Sequence, residues 1–355
     1  MPTPRIVSLV PSATETVFRL GLGGALVGRS HVCDWPEEAR LRPALTRPRL
    51  ESTASREIHD ELRSHLAAGL AIYEIDLEAL RALAPTHLLV QDQCSVCAVS
   101  PSDLETALAE WLGQKPTLVR VAPHQLADVW SDIQRIGDAL GCSERAKSLC
   151  LELTDRITDL VERIGAPPLR PRVACVEWLD PIMIAGHWVP ELVRLAGGEP
   201  VLATMGGASN TVELETLLQA RPDLIFIECC GFNLEESKAQ WAEQKALRET
   251  LCDWLSEQKH LHGAETGAGA GELPAPRIVL TDGDAFFNRP GPRLVESAEI
   301  LADALWHGTR LNQPTPEAPN TPNIPNRDWI YAPGSADAQP ESALFRASPP
   351  RSVEP

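Results

Sequence analysis

Residues Ser143–Ile164 read SERAKSLCLELTDRITDLVERI. Apolar side chains recur there at Ala146, Leu149, Cys150, Leu153, Ile157, Leu160, Val161 and Ile164. Steps of three and four place them on one face of an α-helix. Ser143 is a suitable N-cap, and Glu144 lies where the positive helix end favours an acid. Gly165 and the pair Pro167-Pro168 end the helix, since glycine takes the left-handed turn and proline has no amide hydrogen to continue the ladder. At 1.5 Å per residue the segment spans roughly 33 Å, about the width of a small domain. Its position gives it weight: one run of alternating strands and helices leads up to it, and a related run begins just after it.

Working outward towards the N-terminus, Arg5–Val10 reads as a buried strand, Pro11-Ser12-Ala13 as a turn and Thr14–Leu20 as a helix. A strand at Ala25–Gly28 delivers Arg29–Trp35 to a loop. Helices are expected over Ala54–Ala68, Asp76–Leu83, Asp103–Leu112 and Gln125–Leu140, and strands over His87–Gln91 and Thr117–Val121. Beyond the long helix, strands are expected at Arg172–Glu177, Asp223–Glu228 and Arg277–Thr281. Helices are expected at Val189–Ala196, Val212–Ala220, Leu234–Ser256 and Pro292–Trp306. Gly263–Gly271 is a Gly/Ala-rich loop, and from Leu311 the chain is rich in proline and expected to be disordered. Alternating strands and helices imply parallel βαβ units. The organisation predicted is an α/β lobe over residues 5–140, a connecting helix over 141–166, a second α/β lobe over 170–310 and a tail over 311–355.

The two halves repeat each other. LEALRALAPTHLLV (Leu77–Val90) matches LETLLQARPDLIFI (Leu214–Ile227), pairing Glu78 with Glu215 and Pro85 with Pro222. ETVFRLGLGG, from Glu15, matches ELVRLAGG, from Glu191. Each half therefore reads as a copy of one unit.

The chain has 355 residues and a formal net charge of −17, which argues against nucleic acid or an anionic membrane as partner. No apolar run is long enough to span a membrane. The sequence begins without a basic start and apolar stretch, and its nine cysteines are an odd number. Both features point to a reducing, cytoplasmic location, with a periplasmic one following if the start is misassigned. A monomer is expected.

RIVSLVPSATETVFRLG, VGRSHVCDWP, IDLEALRALAPTHLLV, AGHWVPELVRLAGGEP, VELETLLQARPDLIFI and TDGDAFFNRPGPRLVESAEILADAL follow one another over Arg5–Trp306. In that order they resemble the solute-binding proteins of ABC importers for iron–siderophore and vitamin B12, and within that class the vitamin B12 (cobalamin)-binding branch. The resemblance implies the class III solute-binding fold: two Rossmann-like α/β lobes joined by a single long α-helix, with ligand held between them. It implies capture, not catalysis, of a corrinoid such as cobalamin, with iron–siderophore or haem as alternative ligands. It also implies that Glu78 and Glu215 dock onto arginines of an ABC permease.

In α/β sheets, ligands bind beyond the carboxyl ends of the strands. Those ends supply Ser12, His31, Cys33, Trp35, Cys94 and Cys97 from the first half. From the second come Glu177, Trp178, His187, Trp188, Cys229, Cys230, Asp284, Phe286, Phe287 and Arg289. A corrin is a broad, mostly apolar disc with amide arms, and Trp35, Trp178, Trp188, Phe286 and Phe287 are the candidate flat walls. His31 and His187 are candidate imidazole ligands, including to cobalt. Cys94-x-x-Cys97, with Cys33 and Cys229-Cys230, is a thiol set suited to a metal ion or an iron–sulfur cluster. The alternative function is therefore a cysteine-coordinated metal or redox protein on the same fold. Cys142, Cys150, Cys175 and Cys252 fall within or beside regular elements and read as core. There is no phosphate-binding glycine motif, HWVPE is not a zinc-protease motif, and Asp282 and Asp284 read as turn residues.

Overall fold

The computed structural model describes residues 4–50, 52–67, 72–91, 115–167, 169–265, 276–306 and 330–331. The first lobe comprises β1 (Ile6–Ser8), α1 (Pro11–Arg19), β2 (Leu26–Arg29), β3 (Thr46–Pro48), α2 (Ser55–Ala67), β4 (Tyr73–Ile75), α3 (Leu77–Ala82), β5 (His87–Gln91), β6 (Thr117–Val121) and α4 (Leu126–Ala139). Then comes the connecting helix, α5 (Ser143–Ile164). The second lobe follows with β7 (Arg172–Leu179), β8 (Ile182–Ile184), α6 (Val189–Leu195), β9 (Glu199–Pro200), β10 (Asn210–Thr211), α7 (Leu214–Gln219) and β11 (Leu224–Ile227). It continues with α8 (Leu234–Glu243), α9 (Lys245–Glu265), β12 (Arg277–Thr281), α10 (Gly283–Phe286), α11 (Leu294–Trp306) and β13 (Ile330–Tyr331).

In the first lobe the strands run parallel in the order β2-β1-β5-β6. In the second, β9, β7, β11 and β12 repeat that parallel arrangement, and β8, β10 and β13 pair antiparallel. Every residue of β11 is buried, as expected of a parallel strand covered on both faces. An irregularity between Val176 and Trp178 lets β7 serve β9 with its first residues and β8 with its last.

The internal repeat extends to single hydrogen bonds. Arg5 donates from its guanidinium to Leu83 O after α3, and Arg172 donates likewise to Ala220 O after α7. Ala84 and Arg221, each just before a proline, both lie at positive φ, 43° and 44°. Thr86 N donates to Arg5 O, and Asp223 N to Arg172 O, each at 2.8 Å. The first helices also end alike. Gly21 donates to Phe18 O and Leu22 to Val17 O, while Gly197 donates to Arg194 O and Gly198 to Val193 O. This closure requires a left-handed residue, and Gly21 (φ 69°) and Gly197 (φ 86°) provide it.

The connecting helix buries Ala146, Leu149, Leu153, Ile157, Leu160 and Ile164, and leaves Cys150 half-buried and Val161 exposed. Cys142, not Ser143, occupies the N-cap, with no side-chain capping bond. The helix packs tightly on α4: a Cβ added at Gly137 would lie 2.3 Å from Ala146 Cβ. Ion pairs fasten it to both lobes, Glu152 to Arg19 at 2.7 Å and Arg156 to Glu296 and Glu299 at 2.9 and 3.0 Å. One hydrophobic cluster runs from Ile6 and Val17 through Leu153 and Ile157 to Phe287 and Leu301, so lobes and helix share a core.

Several elements differ from expectation. The segment expected as one helix over Leu234–Ser256 divides at Gln244 into α8 and α9, and α7 begins at Leu214, two residues later than expected. The short strands β3, β4, β8 and β10 were not anticipated. Ile330 and Tyr331, inside the Pro-rich segment expected to lack structure, pair with Thr281 and Leu280. The helix expected over Asp103–Leu112 lies outside the described residues.

Candidate functional site

The carboxyl ends of the two parallel sheets face one another, and side chains meet there along three seams. The first is electrostatic. Glu15 of α1 accepts from Arg293 Nε at 2.9 Å and Nη2 at 2.6 Å. Arg289 pairs with Asp34 of the first lobe and Asp284 of the second, and its Nη1 lies 3.8 Å from Glu15. The Glu15 and Arg289 side chains are only 3% and 4% exposed, so each relies on its close partners in place of water, Arg293 for Glu15 and Asp34 and Asp284 for Arg289. Partial burial alone would raise the Asp34 carboxyl; its hydrogen bond and ion pair with Arg289, and the charge of Arg40, outweigh this and lower it. The Arg293 guanidinium lies 5.3 Å from the centre of the Trp35 ring and 5.4 Å from that of Phe286, a cation between aromatic rings of opposite lobes. Gly291 lets the backbone close on Ser12, since an added Cβ would lie 2.9 Å from Ser12 Cβ.

The second seam joins the start of α2 to β7 and α8. Trp178 Nε1 donates to Ser55 O at 3.2 Å and Asp180 O at 3.1 Å, and its ring stacks on Phe232 at 5.3 Å. Ser55 donates from N and Oγ to Gln240 Oε1, at 2.9 and 2.6 Å, and Gln240 Nε2 donates to Thr53 O at 3.1 Å. Arg56 pairs with Asp180.

The third seam joins the β6–α4 loop to α6. Leu126 N donates to Glu191 Oε2 at 2.8 Å. Glu191 is the counterpart of Glu15 in the internal repeat, and each reaches from its own lobe to the other. His124 and His187 face each other with ring centres 5.6 Å apart. His187 has φ 53°, an uncommon conformation for a residue with a Cβ. Two backbone bonds impose it, His187 N to Gly207 O at 2.6 Å and Gly206 N to His187 O at 3.0 Å. Partial burial lowers the His187 pKa, and the charge of His124 lowers it further.

The structure sorts the candidate residues. Trp35 is 51% exposed, and Trp178 and Phe286 are half-buried, so all three offer surface to a ligand. Trp188 and Phe287 do not: Trp188 donates Nε1 to Phe287 O at 2.8 Å, and Phe287 sits fully buried, edge-on to Phe226. They are core pillars, a correction to their expected place in the walls. Ser12 and Arg289 are also buried, Ser12 by Gly291 and Arg289 by its carboxylates, and they join the lobes instead of lining an open surface. His31 is half-buried, shares a 2.7 Å hydrogen bond with Thr46 and lies 5.1 Å from the Tyr73 ring. Burial and the charge of Arg29 lower its pKa, which favours neutral imidazole.

The described thiols do not come together as a ligand set. Cys33 is fully buried with its Sγ towards Ser8 O, and burial pushes its pKa up to about 11. Cys229 is fully buried and shifted upward by the same cause, and Cys230 is half-buried. Among the described residues no three His, Cys, Asp or Glu side chains converge as metal ligands, and Cys94 and Cys97 lie outside those residues. Glu78 and Glu215 are exposed in the first turns of α3 and α7.

Several residues were not anticipated: Glu15, Asp34, Ser55, His124, Phe232, Gln240 and Arg293 in the seams, and Glu228 beneath them. Glu228 is fully buried, Oε1 has no hydrogen-bond partner, and Asn288 Nδ2 approaches Oε2 at 3.4 Å. Burial first, and then nearby Glu177, raise its pKa well above that of an ordinary glutamate. The half-buried Glu177 thus lies beside a second carboxyl. An acid closing the apolar run LIFIE was the available signal for Glu228. The ion pairs carry no comparable signal, because Glu15 and Arg293 are 278 residues apart.

These features define a two-lobed binding protein, and sequence comparison agrees. Residues 6–250 match the periplasmic binding protein family, and the chain belongs to it. It is 22% identical over 263 residues to the vitamin B12-binding protein of Vibrio parahaemolyticus serotype O3:K6, covering 72% of this chain and 84% of that protein. It is 22% identical over 317 residues to the vitamin B12-binding protein of Yersinia pestis (strain Pestoides F), covering 88% and 89%. Among solved structures, the periplasmic vitamin B12 binding protein BtuF of Vibrio cholerae superposes with a TM-score of 0.55 at 19% identity, over 86% of this chain and 97% of that one. A periplasmic heme binding protein from Pseudomonas aeruginosa superposes with a TM-score of 0.60 at 18% identity, over 86% and 94%.

The family corrects the expected cytoplasmic location. Its members are periplasmic binding proteins, which points to a periplasmic or otherwise extracytoplasmic site of action. The cysteine count is no guide to the compartment here, because Cys33, Cys175 and Cys229 are buried core side chains whose thiols are pushed up in pKa by burial.

Proposed function

We propose that this chain captures a corrinoid of the cobalamin type between its lobes and presents it to an ABC permease, without catalysing a reaction on it. The observation that carries the choice of ligand is the charge state of the seam. Arg289 and Arg293 are held by Glu15, Asp34 and Asp284, Arg40 by Asp34 and Arg56 by Asp180. Arg29 donates to the carbonyls of Arg42, Ser30 and His31. A ligand with carboxylates, such as haem, or an anionic ferric siderophore, would have to break these pairs to be neutralised. A corrin with uncharged amide arms needs flat apolar faces and hydrogen-bonding edges. Trp35, Phe286 and the Trp178–Phe232 stack supply the faces. Glu78 and Glu215, exposed at matching positions of the repeat, are the proposed contacts for basic side chains of the permease.

The test is titration with hydroxocobalamin, followed by absorption and tryptophan fluorescence. Trp35→Ala removes an aromatic face that is already half exposed, so the fold should survive. Affinity is expected to fall by about 1.5–3 kcal/mol, roughly tenfold to a hundredfold. Unchanged affinity in this variant would remove Trp35 from the site.

A further inference from the structure

We propose that His124 and His187 bind one divalent transition-metal ion across the third seam. Their geometry supports such a site whether or not a corrinoid binds between the lobes. The two imidazoles come from opposite lobes, and their ring centres lie 5.6 Å apart with planes inclined at 42°. Zinc–nitrogen bonds are about 2.0–2.1 Å, so this separation of ring centres matches two imidazoles that turn a nitrogen each towards one shared ion. His187 Nδ1 is buried and has no hydrogen-bond partner, leaving a ring nitrogen whose desolvation nothing in the protein offsets. The His187 ring is also held in place, by the backbone bonds to Gly206 and Gly207 and by stacking on Trp188 at 5.7 Å. His124, in contrast, is exposed, so the site opens to solvent and an ion can enter.

The surroundings suit a cation. Asp128 accepts from the backbone of His124 and Gln125, and Glu191 accepts from that of Leu126, so two carboxylates border the pair. Neutral imidazole suits zinc, copper, nickel and cobalt(II). Among the described residues no further His, Cys, Asp or Glu side chain converges on the pair as a third ligand, so the proposed ion would take its remaining ligands from water. An ion held this way would tie the β6–α4 loop of one lobe to the start of α6 in the other, beside the Leu126–Glu191 bond.

The test uses the full chain, stripped with chelator and titrated anaerobically with cobalt(II) in the absence of corrinoid. The expected result is one ion per chain, visible d–d absorption and no sulfur-to-cobalt charge-transfer band. His124→Ala, a change at an exposed side chain, is expected to weaken binding at least about tenfold, as loss of one of two protein donors should. His187→Ala should do the same, but its ring is packed, so His124→Ala is the deciding variant. No saturable binding, a sulfur-to-cobalt band, or unchanged affinity in His124→Ala would each overturn the proposal.

Discussion

At Glu228 burial acts against charge. The carboxyl lies inside the second lobe with one oxygen unpartnered, and its pKa is raised well above the ordinary glutamate value. Folding therefore favours the protonated acid. The stability this adds is fully present below the unfolded pKa, near 4.3, and is lost as pH rises through the folded pKa. Each pH unit in that window is expected to cost the wild type about 1.4 kcal/mol that Glu228→Gln does not lose. Urea unfolding across pH checks this, and parallel profiles for the two proteins would contradict it. Arg289 poses the reverse problem, a buried cation whose removal leaves Glu15, Asp34 and Asp284 without it. Arg289→Met is expected to destabilise by about 3–5 kcal/mol, because uncompensated buried charge costs more than the lost pair contributed. A change below about 1 kcal/mol in urea unfolding would show that solvent reaches the cluster.

Among the elements, α5 holds the lobes in place. Leu153 is fully buried on it and Leu151 is 57% exposed. Leu153→Ala is expected to cost about 2–5 kcal/mol and Leu151→Ala less than about 0.5 kcal/mol. Equal effects in thermal unfolding would mean that the helix does not use the face its sequence predicts. That face was legible because a long helix repeats its period several times. The repeat was legible too, since Pro85 and Pro222 fix equivalent helix ends. Strands of two or three residues, such as Asn210–Thr211 and Ile182–Ile184, show no period to read and form only because a partner is near. The site was legible in part for a similar reason. Sequence places Trp35, Trp178 and Trp188 beyond strands, yet only tertiary packing decides that Trp188 turns into the core and Trp35 does not. Glu15 and Arg293 meet only because α5 brings the lobes together.

At the scale of the molecule, the shared core behind the cleft and the three seams across it make large lobe movements costly. A ligand must therefore suit the surface the lobes already present. That surface combines aromatic faces with arginines engaged by the protein itself, the ground on which we propose an uncharged disc over an anionic one. Competition addresses this most directly. Binding of cyanocobalamin to the full chain would be measured by isothermal titration calorimetry, alone and in the presence of equimolar haemin. Saturable one-to-one binding of the corrinoid that haemin does not displace is the expected result. Displacement by haemin, or haemin binding where the corrinoid fails to bind, would contradict the assignment and show that the arginine pairs open to anionic ligands.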